Sequence, residues 1–410
     1  MTILPRVHGD GLLTFEKQNE SPLDATNPVV LSADFVLESV DDIVQINEDG
    51  VAAAARYVGE RLVKDGYSPR TWHTHPLHLC PPEPYDPAHP GTRATLDWIF
   101  LISSLNFSFW SQYDGTDCCY GVEWRKGWGS DHRVVHTGYW SLVAALDRAL
   151  EEGIPITDPM FYASEERCPD SLIEHVFRAA PQAIEGIPLL RERIAIMREV
   201  GAILCAGFGG SFQGFIEAFQ RRHNYDASGL QLAQMVTDTF PSFRDEHWFE
   251  GRRIFFWKRA QILTAETWAA FSPAPAGGAE QHVPHPLFPR GIAQLTMFAD
   301  YRVPQILHHL RLLTYAPALV HTLRARELLT SGVSREEVAI RAASIVAVER
   351  VAAALRTDGG GGGEDGAVSS VLIDFFLWDL AKRIEEGEER IEGVKTQPML
   401  PAHRTRSIWY

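Results

Sequence analysis

The sequence predicts a mainly α fold, a single all-helical domain that carries one small β-hairpin. Three observations lead there: segments of helical period recur along the 410 residues, start or stop signals bracket several of them, and only one stretch alternates convincingly at period two. Hydrophobic residues make up 45% and charged residues 22% of the chain, which is enough apolar content for one large core or two ordinary ones.

Residues 1–28 mix charge, Gly, Pro and Asn without periodicity and read as an arm, with the helical domain running from 29 to 410. After "NEDG", residues 51–63 read "VAAAARYVGERLV", rich in strong helix formers, and stop at Gly66. "HTHPLHLCPPEPYDPAHPG" (73–91) is crowded with Pro and His and forms turns. "TRATLDWIFLISSLNFSFW" then resumes an apolar helix and runs into an aromatic knot at Phe107, Phe109 and Trp110. Residues 120–137 hold two alternating runs about a Gly-Ser turn, which is the expected hairpin.

Helices follow in series. "YWSLVAALDRALEEG" sets Trp140, Val143, Leu146 and Leu150 on one stripe and ends at Gly153. Further helices are expected over 188–206, 212–222, 229–239, 258–270, 303–314, 317–329 and 369–385. "SREEVAIRAASIVAVERVAAALR" opens with a capping box, Ser334 to Glu337. The segments 272–291 and 358–366 are too flexible in composition for a core and read as loops inside the one domain.

Thirty-eight basic residues against fifty-three acidic ones give a formal charge of -15, which repels a nucleic-acid backbone and argues against a long DNA or RNA partner. No apolar run reaches the roughly 18 residues that cross a bilayer, and the first thirty residues lack a secretory pattern. The expectation is a cytoplasmic protein with no membrane partner and no obligate protein partner. Five cysteines, two of them the neighbours Cys118 and Cys119, with no C-x-x-C, suggest neither a disulfide framework nor a zinc site. No metal or organic cofactor is indicated.

"GFGGSF" (207–212) precedes a helix and can offer amides to a phosphate, but it lacks the P-loop and dinucleotide patterns; a helix stop followed by a Ser211 cap is the favoured reading. His73, His75 and His78 lie in a Pro-rich turn that cannot fix two imidazoles on zinc, so one histidine acting as a hydrogen-bond donor in a pocket is the better reading. "RRIFFWKRAQIL" (252–263) gathers Arg252, Arg253, Lys258 and Arg259 around three aromatic residues. It is either a helix surface with solvated charges or a site for a single phosphate.

"VLIDFFLWDLAK" (371–382) sets two acids in an apolar run. At 100° per residue, Asp374, Trp378, Phe375 and Asp379 fall at about 0°, 40°, 100° and 140°, all on one broad face. That face is too apolar to be solvated, so at least one carboxylate is buried and needs a partner. In "MFADYRVP" (297–304) Asp300 stands between Phe298 and Tyr301, beside Arg302; it is either the cap of the next helix or a group that touches a substrate. Together these acids and aromatics suit a flat ring that donates hydrogen bonds, since a carboxylate accepts two parallel N–H bonds from a guanine-like edge.

At these residues the chain resembles the queuosine salvage protein family, enzymes that release the base queuine from queuosine 5'-phosphate. The resemblance rests on "LNFSFW" (105–110), "TGYWSL" (137–142), "GIPIT" (153–157), "FGGSF" (208–212), "FRD" with "FEG" (243–251), "KRAQIL" (258–263), "MFADYR.PQ" (297–305), "DFFLWD" (374–379) and "HR.R.I.Y" (403–410). It implies an all-helical fold like that of DNA glycosylases and hydrolysis of the N-glycosidic bond of a nucleoside monophosphate, the base then serving tRNA modification. Carried over, Asp300 resembles the family's catalytic acid, Phe298 a stacking residue, and Asp374, Phe375 and Asp379 the residues that hold the base. Phe375 stands where many members carry Tyr, so the resemblance implies no hydroxyl contact there. His78, with His75 as the alternative, matches the pocket histidine, and Tyr301 adjoins the base.

An ionised Asp300 beneath C1' stabilises an oxocarbenium-like sugar or steers a water onto it. A 7-deazaguanine cannot be protonated at N7, so its departure must be stabilised elsewhere, with His78 a candidate donor. Local charge suggests Lys258 and Arg259 for the 5'-phosphate, with Arg302 in reserve. Two other readings compete: a non-catalytic helical module that binds a nucleotide, tRNA or protein, and a DNA-repair glycosylase, which needs a basic duplex-binding face.

Overall fold

The computed structural model describes residues 27–274, 284–330, 332, 334–357 and 368–410. The expected arm, apart from residues 27 and 28, lies outside them, as do residues 275–283 of the first expected loop and the whole of the second, 358–366. Within them helices dominate and strands are short.

The chain enters helix α1 (Pro28–Leu37) through a cap that the arm reading passed over. Asn27 Oδ1 accepts from Val29 N at 2.9 Å and Pro28 takes the first helical position. Strand β1 (Val44–Ile46) leads into α2 (Glu48–Lys64), and a 3-10 turn (Pro69–Thr74) precedes α3 (Pro90–Ser104). The expected hairpin is present as β2 (Gly121–Arg125) and β3 (Arg133–Thr137), followed by α4 (Tyr139–Glu151). Two short helices, α5 (Pro159–Tyr162) and α6 (Asp170–Val176), come before α7 (Leu190–Gly207), α8 (Phe212–Arg222) and α9 (Gly229–Thr239).

The helix stop at "GFGGSF" is as expected. Gly209 and Gly210 turn the chain at φ +62° and +68°, and Ser211 Oγ accepts from Gly214 N at 3.0 Å. Phe212 N donates to Asp97 Oδ1 at 2.6 Å, so a side chain of the protein already occupies the start of α8.

Two further strand pairs accompany the one expected. β4 (Glu246–Phe249) and β5 (Arg252–Phe255) form a hairpin closed at Glu250 and Gly251, with φ +47° and +80°, a left-handed pair that matches strand twist. β5 leads directly into α10 (Lys258–Ala270), so the basic cluster at 252–263 is split between an edge strand and a buried helix start. The helix expected over 303–314 stops early: α11 covers Arg302–His309, and β6 (Leu313–Tyr315) pairs antiparallel with β1, Val44 opposite Tyr315. α12 is Pro317–Ala325, and the last two helices are α13 (Arg335–Thr357) and α14 (Ser370–Glu385).

α13 is the spine, packed against α1, α2, α11 and α14 through a run of Ala, Val and Ile. Half of its expected capping box forms: Ser334 Oγ accepts from Glu337 N at 3.3 Å, while the Glu337 carboxylate turns inward to Tyr410 Oη at 2.8 Å. One helical turn on, the buried Arg341 grips Asp245 with two bonds, 2.5 and 3.1 Å, and donates Nε to Ala299 O at 2.9 Å. Burial opposes ionisation of Asp245, yet Arg341 and His247 outweigh it and hold the carboxyl below the ordinary aspartate range. This bidentate pair fixes the residue before Asp300. Asp245 Oδ2 also accepts from Lys258 N at 3.3 Å, so one buried pair sets both segments that reach the cavity described next.

Candidate active site

A cavity of about 270 Å³ opens between the 3-10 turn, the start of α4, α10, the segment before α11, and α14. Phe298, Asp300, Tyr301 and Arg302 enter it from that segment. α14 contributes Asp374, Phe375, Trp378 and Asp379, the four residues that the helical angles placed on one face. Lys258 and His78 also line it.

Asp300 caps the next helix and also lines the cavity. Its Oδ1 accepts from Arg302 N at 2.8 Å and Val303 N at 2.9 Å, capping α11, and its carboxylate borders the cavity. Burial raises its pKa above the ordinary aspartate value, and Lys258 and the two amides pull against that rise. Asp374, almost fully buried, accepts from Phe298 N at 2.9 Å. Burial and then the charge of Asp300 push it well above the ordinary aspartate value, which favours its protonated form. Asp379 accepts from Tyr67 Oη at 2.5 Å, and burial raises it too. Phe298 and Phe375 stand 5.8 Å apart with rings tilted at 55°, leaving a hydrophobic face beside the acids.

Lys258 Nζ donates to both oxygens of Asn106, O and Oδ1, each at 2.9 Å. Burial lowers its ammonium to about 8, against the pull of Asp300. Arg302 pairs with Glu385 at 3.1 Å and reaches Gln305 at 3.1 Å.

Two expectations change. Arg259, offered for a phosphate, points into the core: its guanidinium donates to the carbonyls of Ser104 and Ser242 and lies over Phe107 and Phe243. A clustered charge in sequence does not reveal which member turns inward. His78, offered as a donor, approaches Trp72 O with Nδ1 at 2.7 Å. A carbonyl only accepts, so Nδ1 carries the proton and Nε2 presents a lone pair. Burial lowers His78 to about 3, which keeps the ring neutral. His78 therefore serves as a wall, stacked on Trp72 at 4.1 Å; His75, the alternative, stacks on Trp140 at 3.6 Å.

Sequence reasoning missed Glu266 and the wall around it. Glu266 lies on α10, borders the cavity, and accepts a hydrogen bond from Trp72 Nε1. Burial pushes it up to about 7. Its signal was present: it is the one acidic residue of an α10 helix otherwise built from apolar, Thr, Gln and two basic residues. Tyr139, Trp140, Lys382 and Tyr410 also line the cavity. Four carboxyls raised by burial around one space form an arrangement that structural ion pairing does not require. Among the described residues no group of three or more His, Cys, Asp or Glu is placed to hold a metal, and no single helix is long and apolar enough to cross a membrane.

The arrangement can bind a flat, donor-rich ring between aromatic faces and acids, with one carboxylate and one ammonium side by side for chemistry at a bond to that ring. Comparison with known proteins agrees. The family model described as "Queuosine salvage protein" matches residues 86–410. The chain is 39% identical over 386 residues to a Schizosaccharomyces pombe protein named queuosine 5'-phosphate N-glycosylase/hydrolase, covering 93% of this chain and 99% of that one. Proteins of the same name from Mus musculus, 37% identical over 92% of this chain and 97% of its own length, and from Sphaerobacter thermophilus, 36% identical over 90% and 93%, match almost end to end. With the match covering most of the chain and the cavity motifs inside it, the protein belongs to the queuosine salvage protein family.

Proposed function

We propose that the protein hydrolyses the N-glycosidic bond of queuosine 5'-phosphate, releasing queuine for salvage into tRNA and leaving ribose 5-phosphate. The observation that carries this reading is the meeting of a capped Asp300, a buried Asp374 and the ammonium of Lys258 in one aromatic-lined cavity.

In this reading the base lies between Phe298, Phe375, Tyr301 and the His78 wall, with Asp374 and Asp379 accepting from its N–H groups. Asp300 faces C1'. As the C1'–N bond breaks, its electron pair leaves with the base and positive charge develops on the sugar, which the Asp300 carboxylate stabilises. Water adds to C1' and gives its proton to Asp300. The departing base takes up a proton, for which Asp374, whose burial favours its protonated form, is the adjacent source. Lys258 keeps Asp300 ionised despite burial. In this reading Arg302, which lines the cavity with Lys382, meets the 5'-phosphate, with Lys258 the second cation and no part for the core-facing Arg259.

The test is chromatography with mass detection after incubation with queuosine 5'-phosphate, queuosine and GMP. Queuine and ribose 5-phosphate from the first, faster than queuine from the second, with GMP intact, is the expected result. Intact substrate in all three would bring forward the reading as a non-catalytic binding module.

A further inference from the structure

Glu266 has no task in the chemistry just described, yet it faces the cavity from the middle of α10. Its Oε2 accepts from Trp72 Nε1, and among the described residues Oε1 accepts nothing. The surroundings are aromatic. Tyr139 and Trp140 lie 4.8 Å apart, Trp378 stands edge-on to both at 5.9 and 5.8 Å, and Trp72 closes the other side through His78. A carboxylate set among ring faces is costly when the cavity is empty, because the pull of Lys258 and the Trp72 bond do not outweigh its desolvation. The same combination is what an organic ammonium finds favourable, a counter-ion for its charge and π-faces for its C–H and N–H groups.

Resting on the base-binding reading above, we propose that Glu266 and its aromatic wall are the recognition site for the secondary ammonium that queuosine carries on its 7-aminomethyl substituent. The site then selects 7-deazaguanines with a cationic 7-substituent over neutral ones, and over guanine, which bears no such group. The raised proton affinity of Glu266 in the empty cavity agrees, since an arriving cation favours the ionised form. Asp379 is already engaged by Tyr67, and Lys258, the cation whose field reaches Glu266, is hydrogen-bonded to Asn106.

The test uses two bases of nearly equal size, 7-aminomethyl-7-deazaguanine, which is cationic, and 7-cyano-7-deazaguanine, which is neutral. Calorimetric Kd values are measured on the wild-type protein and on Glu266→Gln. The wild type should bind the aminomethyl base at least about tenfold more tightly, and Glu266→Gln should reduce that preference to about twofold or less while binding the cyano base as before. No preference in the wild type overturns the proposal even if the variant does not fold. A preference kept by Glu266→Gln overturns it as well, by moving recognition to another acid. Neither result depends on turnover, so a failure of the hydrolase reading shows separately, as intact queuosine 5'-phosphate beside normal base binding.

Discussion

Asp374 accepts the backbone amide of Phe298 at 2.9 Å, so the helix that supplies one cavity carboxyl also holds the segment that delivers Asp300. Asp374→Ala should leave that buried amide without a partner, at a cost of about 1–3 kcal/mol. Asp374→Asn keeps an oxygen acceptor and removes a buried acid, so its stability should stay within about 1 kcal/mol of wild type. Both should weaken queuine binding by roughly 10-fold or more, because neither offers a carboxyl to the base. Denaturation curves and calorimetry separate the two effects; equal stability of the two variants would remove the structural half of the argument.

Asp300 caps α11 and faces the cavity with the same carboxylate. Asp300→Asn retains the cap, since an amide oxygen accepts from the same two amides, and loses the charge that stabilises the sugar cation in the proposed mechanism. The expected outcome is a Tm close to wild type with kcat lower by about 10²–10⁴. Asp300→Ala should lose the cap as well, about 0.5–2 kcal/mol. An Asn variant that turns over at the wild-type rate would reduce Asp300 to a helix cap.

The two neighbouring cations of α10 and the arginine that begins α11 divide into different roles. Arg259→Lys cannot bridge the carbonyls of Ser104 and Ser242 with one ammonium, so it should destabilise the protein by roughly 2–4 kcal/mol. The ratio of KM for queuosine to KM for queuosine 5'-phosphate should not move. Arg302→Gln should do the reverse, raising KM for the phosphate about tenfold and for the nucleoside less than about twofold, with little loss of stability. Steady-state kinetics on both substrates decides it.

How far the sequence revealed this site follows from which residues depend on local pattern. The face of α14 was legible, because helical geometry alone brings Asp374, Phe375, Trp378 and Asp379 together. The segment around Asp300 was legible as a motif, but sequence alone does not show that its carboxylate caps α11 through Arg302 N and Val303 N while lining the cavity. The direction of the Arg259 side chain and of the His78 ring nitrogens is not legible in sequence, because it is decided by tertiary partners, here two carbonyls in the core and Trp72 O. The strand at Leu313–Tyr315 was read as helix since its partner, Val44–Ile46, is far away in sequence. By contrast α1 and the 246–255 hairpin carried readable signals, an Asn-Pro start and a Glu-Gly turn, that composition obscured.

Glu266 makes a prediction about stability as well as recognition. Burial lifts it from an ordinary 4.5 to about 7. Between those values the folded protein keeps a proton that the unfolded chain has released, so its contribution to stability falls as pH rises through this window. Glu266→Gln removes that loss. Relative to wild type the variant should gain stability between pH 4.5 and 8, by on the order of 1–3 kcal/mol. Urea unfolding at the two pH values measures it, and a difference that does not change with pH would mean Glu266 is ionised throughout.

Lys258 should leave its mark on the pH dependence of kcat/KM. Its ammonium is lowered to about 8 by burial, while Asp300 is raised above the ordinary 3.8. In the proposed mechanism the active form of the free enzyme has Asp300 ionised and Lys258 protonated, so activity should rise as Asp300 loses its proton and fall as pH passes about 8. The phosphate and amine of the substrate titrate in this range too, but identically for wild type and variant. The difference between the profiles of wild type and Lys258→Met therefore reports the lysine. The variant should be slower at pH 7 and should lose the decline near 8, because no enzyme ammonium remains to be neutralised. A decline of the same position and steepness in Lys258→Met would assign that limb to the substrate and leave Asp300 to hold its charge through the two amides of α11 alone.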